Sequence, residues 1–166
     1  MHLTPDNYFI GHQSGNSITT GKFNSFFGYN SGFSTTTGER NLFMGYLSGY
    51  SNTEGKSNVF IGNQVGYSNI NGESNVFIGD SAGYYNADGY QNIFIGQGTG
   101  LSNTSGGHNV FLGVSSGAKN STGIAGVFLG DFAGYENDTG SYNIFLGAVS
   151  GYSNTYGNYN INMGTW

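Results

Sequence analysis

Residues 58–74 read NVFIGNQVGYSNINGES and residues 75–91 read NVFIGDSAGYYNADGYQ, so one 17-residue phrase is followed at once by its near copy. Taking Asn7 as position one, further copies begin at Asn24, Asn41, Asn58, Asn75, Asn92, Asn109, Gly126, Asn143 and Asn160, without insertion or deletion. Self-similarity at a fixed period is the mark of a repeat architecture. A unit this short, with one apolar run, cannot bury that run alone, so neighbouring copies must stack and share a core.

The columns of the repeat say how they stack. Position three is Phe in every complete copy: Phe9, Phe26, Phe43, Phe60, Phe77, Phe94, Phe111, Phe128 and Phe145. Positions two and four are mostly aliphatic, and a five-residue run of β-formers bounded by Asn and Gly predicts a short strand. Positions five, nine and fifteen hold 28 of the 31 glycines. Glycine at such intervals costs about 1 kcal/mol per residue in a helix interior and excludes helix.

The expected fold is all-β, a parallel β-solenoid (β-roll) of about nine 17-residue coils. Like residues then stand on one another at about 4.8 Å, and nine coils make a rod roughly 43 Å long. Residues 1–6 read as an N-terminal lead-in, 7–159 as the nine coils and 160–166 as a partial terminal repeat. The glycine columns mark corners where positive φ carries no Cβ penalty. The SNT-like segment before position fifteen forms a polar face or long turn. Asn at position one, and again at position twelve from Asn52 to Asn154, suits stacked amide ladders; capping of turns accounts for it equally well.

In a strand, positions two and four face one way and position three the other. Both faces are therefore apolar here, and a solenoid has one inside. One face fills the coil, and the other predicts self-association because monomers rarely leave such a stripe in water. The Phe column is assigned to that contact; in the alternative reading Phe points inward beside glycine, while the Tyr-bearing turn covers Val and Ile. The first and last strands look uncapped, which suggests a fragment of a longer array or head-to-tail stacking. Asn162, in place of Phe, is the one hint of a cap.

Composition narrows the partners. The net charge is −5 with only four Lys plus Arg, which leaves little to neutralise phosphates and argues against nucleic acid. The aromatic content, 16%, argues against disorder. Cysteine is absent, so thiol and disulfide chemistry do not arise. No stretch approaches the roughly 20 apolar residues of a membrane span, and the first residues lack the features of a secretory signal.

The pattern in NVFIGDSAG (75–83) and NIFLGAVSG (143–151) resembles the head repeats of trimeric autotransporter adhesins, and more closely the tail-fibre-type repeat proteins of bacteria and phages. The likeness runs from Asn7 to Gly164. It implies a left-handed β-roll, often trimeric, displayed outside the cell as a stalk, head or fibre.

Apparent chemical motifs are products of the repeat. Gly79–Gly83 and Gly113–Gly117 match the G-x-S-x-G elbow wherever Ser falls at position seven, without the strand-to-helix context that elbow needs. His2, His12 and His108 share no register and read as surface histidines, not zinc ligands. Acidic Glu54, Asp80, Asp88 and Asp131 lack the regular spacing of calcium-binding repeats. Gly96–Gly100 imitates a phosphate loop with no helix to follow. Asn103, Asn120 and Asn137 head glycosylation sequons in the polar turn, where sugars could attach, although Asn and Thr are common enough here for chance to produce them.

Two surface columns remain. Position ten carries Tyr50, Tyr67, Tyr84, Tyr135 and Tyr152 with Phe33 in register, a ladder suited to packing or to carbohydrate contact. Position thirteen carries Thr19, Thr36, Thr53, Thr104 and Thr155, a broken array of the ice-binding kind. The expected function is an extracellular or cell-surface structural protein, self-associating as a trimer or head-to-tail filament into a fibre, stalk or adhesin head. The alternative is a module that binds glycan, or ice, through a regular face. No cofactor, metal or catalysis is expected.

Overall fold

The computed structural model describes residues 2–4 and 6–165. Among them there is no helix, and eleven short strands form one sheet in chain order. They are β1 (His2–Thr4), β2 (Asn7–Ile10), β3 (Asn24–Phe27), β4 (Leu42–Met44), β5 (Val59–Ile61), β6 (Val76–Ile78), β7 (Ile93–Ile95), β8 (Val110–Leu112), β9 (Val127–Leu129), β10 (Ile144–Leu146) and β11 (Ile161–Met163). From β2 onward every pair is parallel and steps by one repeat, so Phe60 lies beside Phe77 and Phe77 beside Phe94. The chain is the β-solenoid its period predicts.

One end departs from expectation. The segment read as a lead-in contains β1, which pairs antiparallel with β2 in the register His2 to Phe9 and Thr4 to Asn7. The first edge is thus not bare: β1 answers the row of N–H and C=O groups that an edge strand otherwise presents. Residues 1 and 5 of that lead-in, and Trp166 of the terminal copy, lie outside the described residues. Asn162 is exposed in β11 and does not close the core.

The Phe column faces inward, which corrects its assignment to an intermolecular contact. Phe26 through Phe145 are fully buried and Phe9 nearly so. Successive rings stack with centroids 4.4–4.9 Å apart. Space decides the direction. A Cβ on Gly66 would stand 2.5 Å from the Phe60 ring, so glycine at position nine is the floor on which the ring lies. Small side chains at position eight, such as Val65, Ala82 and Ala133, complete the apolar core. Burying each ring contributes about 1.5–3 kcal/mol.

Position one shares the inward face with position three, and its asparagines are buried too. Asn58 Oδ1 accepts the backbone N–H of Asn75 at 3.0 Å, while Asn58 Nδ2 donates to the Gly72 carbonyl of its own coil at 2.7 Å. The second column repeats the device: Asn86 Nδ2 donates to Asn69 Oδ1 at 2.8 Å and to Gly89 O at 3.3 Å. Both ladders form, and each asparagine also ties a turn, so the two alternatives are one arrangement.

Outside the strand each coil is mostly turn, yet it remains hydrogen-bonded rung to rung. The Ile70 carbonyl accepts from Thr53, Glu54 and Gly55 N–H, each at 3.1 Å. Beyond the strand, the Ser74 N–H returns to Lys56 O at 2.9 Å.

Glycine is needed for two different reasons. At position five the backbone enters a region that only glycine tolerates: Gly79 has φ +136°, and a Cβ would meet the Gly96 carbonyl at 2.5 Å. Position fifteen was expected to be a positive-φ corner and is not. There the constraint is room, since a Cβ on Gly72 would lie 2.3 Å from Asn69 Oδ1. The left-handed residues that glycine does not mark sit at positions seven and seventeen, as in Gln64 (φ 51°) and Ser74 (φ 58°). Ordinary residues there are uncommon at positive φ and are held by the turns around them.

Two predictions follow from this packing. Gly79→Ala will cost more than about 3 kcal/mol by combining backbone strain with a carbonyl clash, whereas Gly98→Asn, at position seven where a Cβ would make only an ordinary contact with Ser115 Oγ at 3.5 Å, will stay within about 1 kcal/mol; chemical denaturation of both variants measures the contrast. At position twelve, Thr35 is buried with its hydroxyl unpartnered. Thr35→Asn will extend the ladder to Asn52 and raise the melting temperature by a few degrees, about 1–2 kcal/mol; an unchanged or lower value contradicts the ladder's role.

Candidate functional site

Because Phe and Asn turn inward, positions two and four turn outward and form a regular surface along the rod. Over ten rungs these two columns contain no charged residue; Tyr8 and Ser25 are the only members with a polar group. Many are substantially exposed, among them Ile10 (47%), Met44 (44%), Ile93 (39%) and Ile95 (37%). Rungs about 4.8 Å apart and outward columns about 7 Å apart make a flat strip some 43 Å long, several hundred Å² in area. The Tyr-bearing turn does not cover it.

Two exposed corner columns border this strip. On one side, position six carries His12, Tyr29 and Tyr46 as a short stack, with centroids 5.3 and 5.5 Å apart. Asp80 and Asp131 follow in the same column. On the other side, position seventeen carries Arg40, Gln91 and His108, then stacked Tyr142 and Tyr159 at 5.0 Å.

The position-ten aromatics lie elsewhere on the coil. Phe33, Tyr50, Tyr67 and Tyr84 form one continuous stack at 5.0–5.2 Å, nearly parallel. Tyr135 and Tyr152 form a second at 5.1 Å, and Leu101 and Ala118 separate the two. Each ring covers its neighbour's face, so the column shows edges and hydroxyls outward. Burial pushes the Tyr84 phenol above its ordinary range, helped by Tyr67 and Tyr85 nearby. On the next column Lys119 bonds Glu136 at 2.8 Å across one rung, and that bond raises the lysine's pKa.

Other expected features are absorbed by the rungs. The position-thirteen hydroxyls bond to backbone: Thr19 Oγ1 donates to Thr36 O at 3.0 Å, and Thr104 Oγ1 to Ser121 O at 3.0 Å. Ser81, in the first elbow-like motif, donates to Asp80 Oδ1 at 2.7 Å. His12 stacks on Tyr29 and His108 meets Tyr90 edge-on, so neither serves a serine; the reading of His2 falls outside the described side chains. In the phosphate-loop imitation Thr99 Oγ1 is spent on the Gly113 carbonyl at 2.6 Å. Asp131 accepts the Val114 N–H at 2.9 Å, and Asp88 accepts from Asn71 at 3.0 Å. Among the described residues no group of three or more His, Cys, Asp or Glu is placed to hold a metal, and no helix is long and apolar enough to cross a membrane.

The sequons are corrected most directly. Asn103, Asn120 and Asn137 lie in the buried ladder with at most 1% exposure. Their amide nitrogens donate to the preceding asparagine and to the glycine three residues on. The nitrogen a glycan would occupy points into the coil.

No protein-family model, curated protein or solved structure matches this chain. Secreted from a glycosylating host, the folded chain will carry no glycan at these three asparagines, as intact-mass measurement will check; sugar on a natively folded rod contradicts the inward ladder.

Proposed function

We propose that this chain is an extracellular structural protein, a β-solenoid rod that associates with itself into a fibre, stalk or adhesin head. The observation that carries the reading is the uncharged outer sheet face of positions two and four. A surface this regular is costly to leave in water. A structural role also fits a chain whose side-chain polar groups are largely spent on joining rung to rung, and it agrees with the resemblance of the repeats to displayed head and fibre proteins.

Glycan recognition is less well supported. Sugar-binding aromatics commonly offer a ring face, whereas the Tyr50–Tyr84 stack offers edges. The threonine array favours ice no better, because its hydroxyl protons point along the backbone.

The double variant Ile93→Lys, Ile95→Lys places two cations at the middle of the outer face without touching the core. The wild-type chain is expected to sediment as an oligomer and the variant as a monomer, with an unchanged circular dichroism spectrum. A wild-type chain that stays monomeric at high micromolar concentration would sink the reading.

A further inference from the structure

We infer that Tyr142 and Tyr159 form a cross-linking site: a one-electron oxidant of the peroxidase class, with hydrogen peroxide as its electron acceptor, couples the two rings into dityrosine and staples coil eight to coil nine. Both rings belong to one chain, so the site is independent of the self-associating reading.

The backbone sets the pair. Both residues take the left-handed conformation of position seventeen, with φ 59° and 57°. Tyr142 N–H donates to Ile124 O at 2.9 Å, and Tyr159 N–H donates at 3.1 Å to the carbonyl of Ser141, the residue before Tyr142. Equivalent bonds one rung apart hold the rings in register, with their planes 5° apart and their centroids at 5.0 Å. Parallel rings so placed bring the carbons beside one hydroxyl over those beside the other. Fixing two reactants at this range makes their coupling effectively unimolecular, which is worth several powers of ten in rate.

Exposure singles this pair out. Tyr142 is 47% exposed and Tyr159 76%, so an oxidant reaches both rings and they are free to tilt together as the bond forms. Tyr29 and Tyr46 are also open, but they stand 5.5 Å apart with planes inclined at 15°. In the position-ten stack Tyr84 is half-buried, and burial pushes its phenol up, so that column gives up its protons less readily. Cysteine, the side chain that would otherwise take the oxidising equivalents, is absent.

Each phenol gives up one electron and its hydroxyl proton, leaving a radical shared with the ring carbons beside the oxygen. One such carbon from each ring joins the other; each then loses its hydrogen as a proton, and the hydroxyls are restored. Two C–H bonds are exchanged for one C–C bond, and the two electrons and two protons released reduce hydrogen peroxide to two waters. The new bond closes the ninth coil into a covalent loop, at the junction where Gly126 has no side-chain amide to offer Asn143.

The test is oxidation of the whole chain at low micromolar concentration with a peroxidase and hydrogen peroxide, read by dityrosine fluorescence and by mass spectrometry of the digested product. The expected product is a single chain lighter by two hydrogen atoms, apart from any oxygen added to methionine, whose cross-linked peptide joins Tyr142 to Tyr159. Tyr159→Phe keeps a stacked ring but removes one phenol, and will lose most of the dityrosine signal; Tyr67→Phe, inside the position-ten stack, will keep it. Cross-links found chiefly at another pair or only between chains overturn the site, as does a wild-type chain that forms no dityrosine or a Tyr159→Phe chain that forms as much.

Discussion

The side-chain amide of the position-one asparagine is the bond on which the rest of this structure depends. Its oxygen takes a backbone N–H from the next coil and its nitrogen closes its own coil on the position-fifteen carbonyl. One group therefore fixes both the circumference of the coil and its register on the neighbour. A coil one residue longer or shorter would miss one of the two partners, which explains why the period never varies. Glycine at position fifteen follows, because any side chain there would occupy the space of the amides. The buried amides cost desolvation, and the cost is met because nearly all of their hydrogen-bonding capacity is used.

Around this polar seam the apolar core is narrow. A single file of phenylalanines fills it, each lying on the glycine six residues later and on the ring of the next coil. The core has the thickness of one ring, so it holds a single apolar strand face. The other face of the same strand is left outside by geometry, not by chance. An interior too small to bury both faces and a strand apolar on both leave an uncharged outer sheet face, which is the ground of the proposal of self-association.

Much of this was legible in the sequence. The constant spacing gave the solenoid, the Phe column gave the strand, and two Asn columns gave the ladders. What period-two alternation does not carry is direction: with positions two, three and four all apolar, the pattern says that faces differ but not which is inside. The sign was nonetheless present, since asparagine at position one shares parity with Phe, and a laddered amide column belongs in the interior. The left-handed backbone at positions seven and seventeen left no trace, because residues as different as Leu47, Gln64, Phe132 and Arg40 adopt it under the constraint of the surrounding turn. Strand β1 was equally hidden, its pairing being set by contact with β2 and not by any repeat.

The eighth coil begins with Gly126 in place of asparagine. Gly126 N–H still donates to the amide oxygen of Asn109 at 2.8 Å, but glycine has no side-chain amide to offer upward to Asn143. The rings of Phe111 and Phe128 close to 4.4 Å beside this gap, tighter than any other pair in the file. Under tension along its length, the rod is consequently not of even strength. Its seam lacks one stitch at the junction of coils eight and nine, so an axial load would begin to part the chain there, releasing the ninth coil and the partial copy paired with it while the longer stack below stays closed.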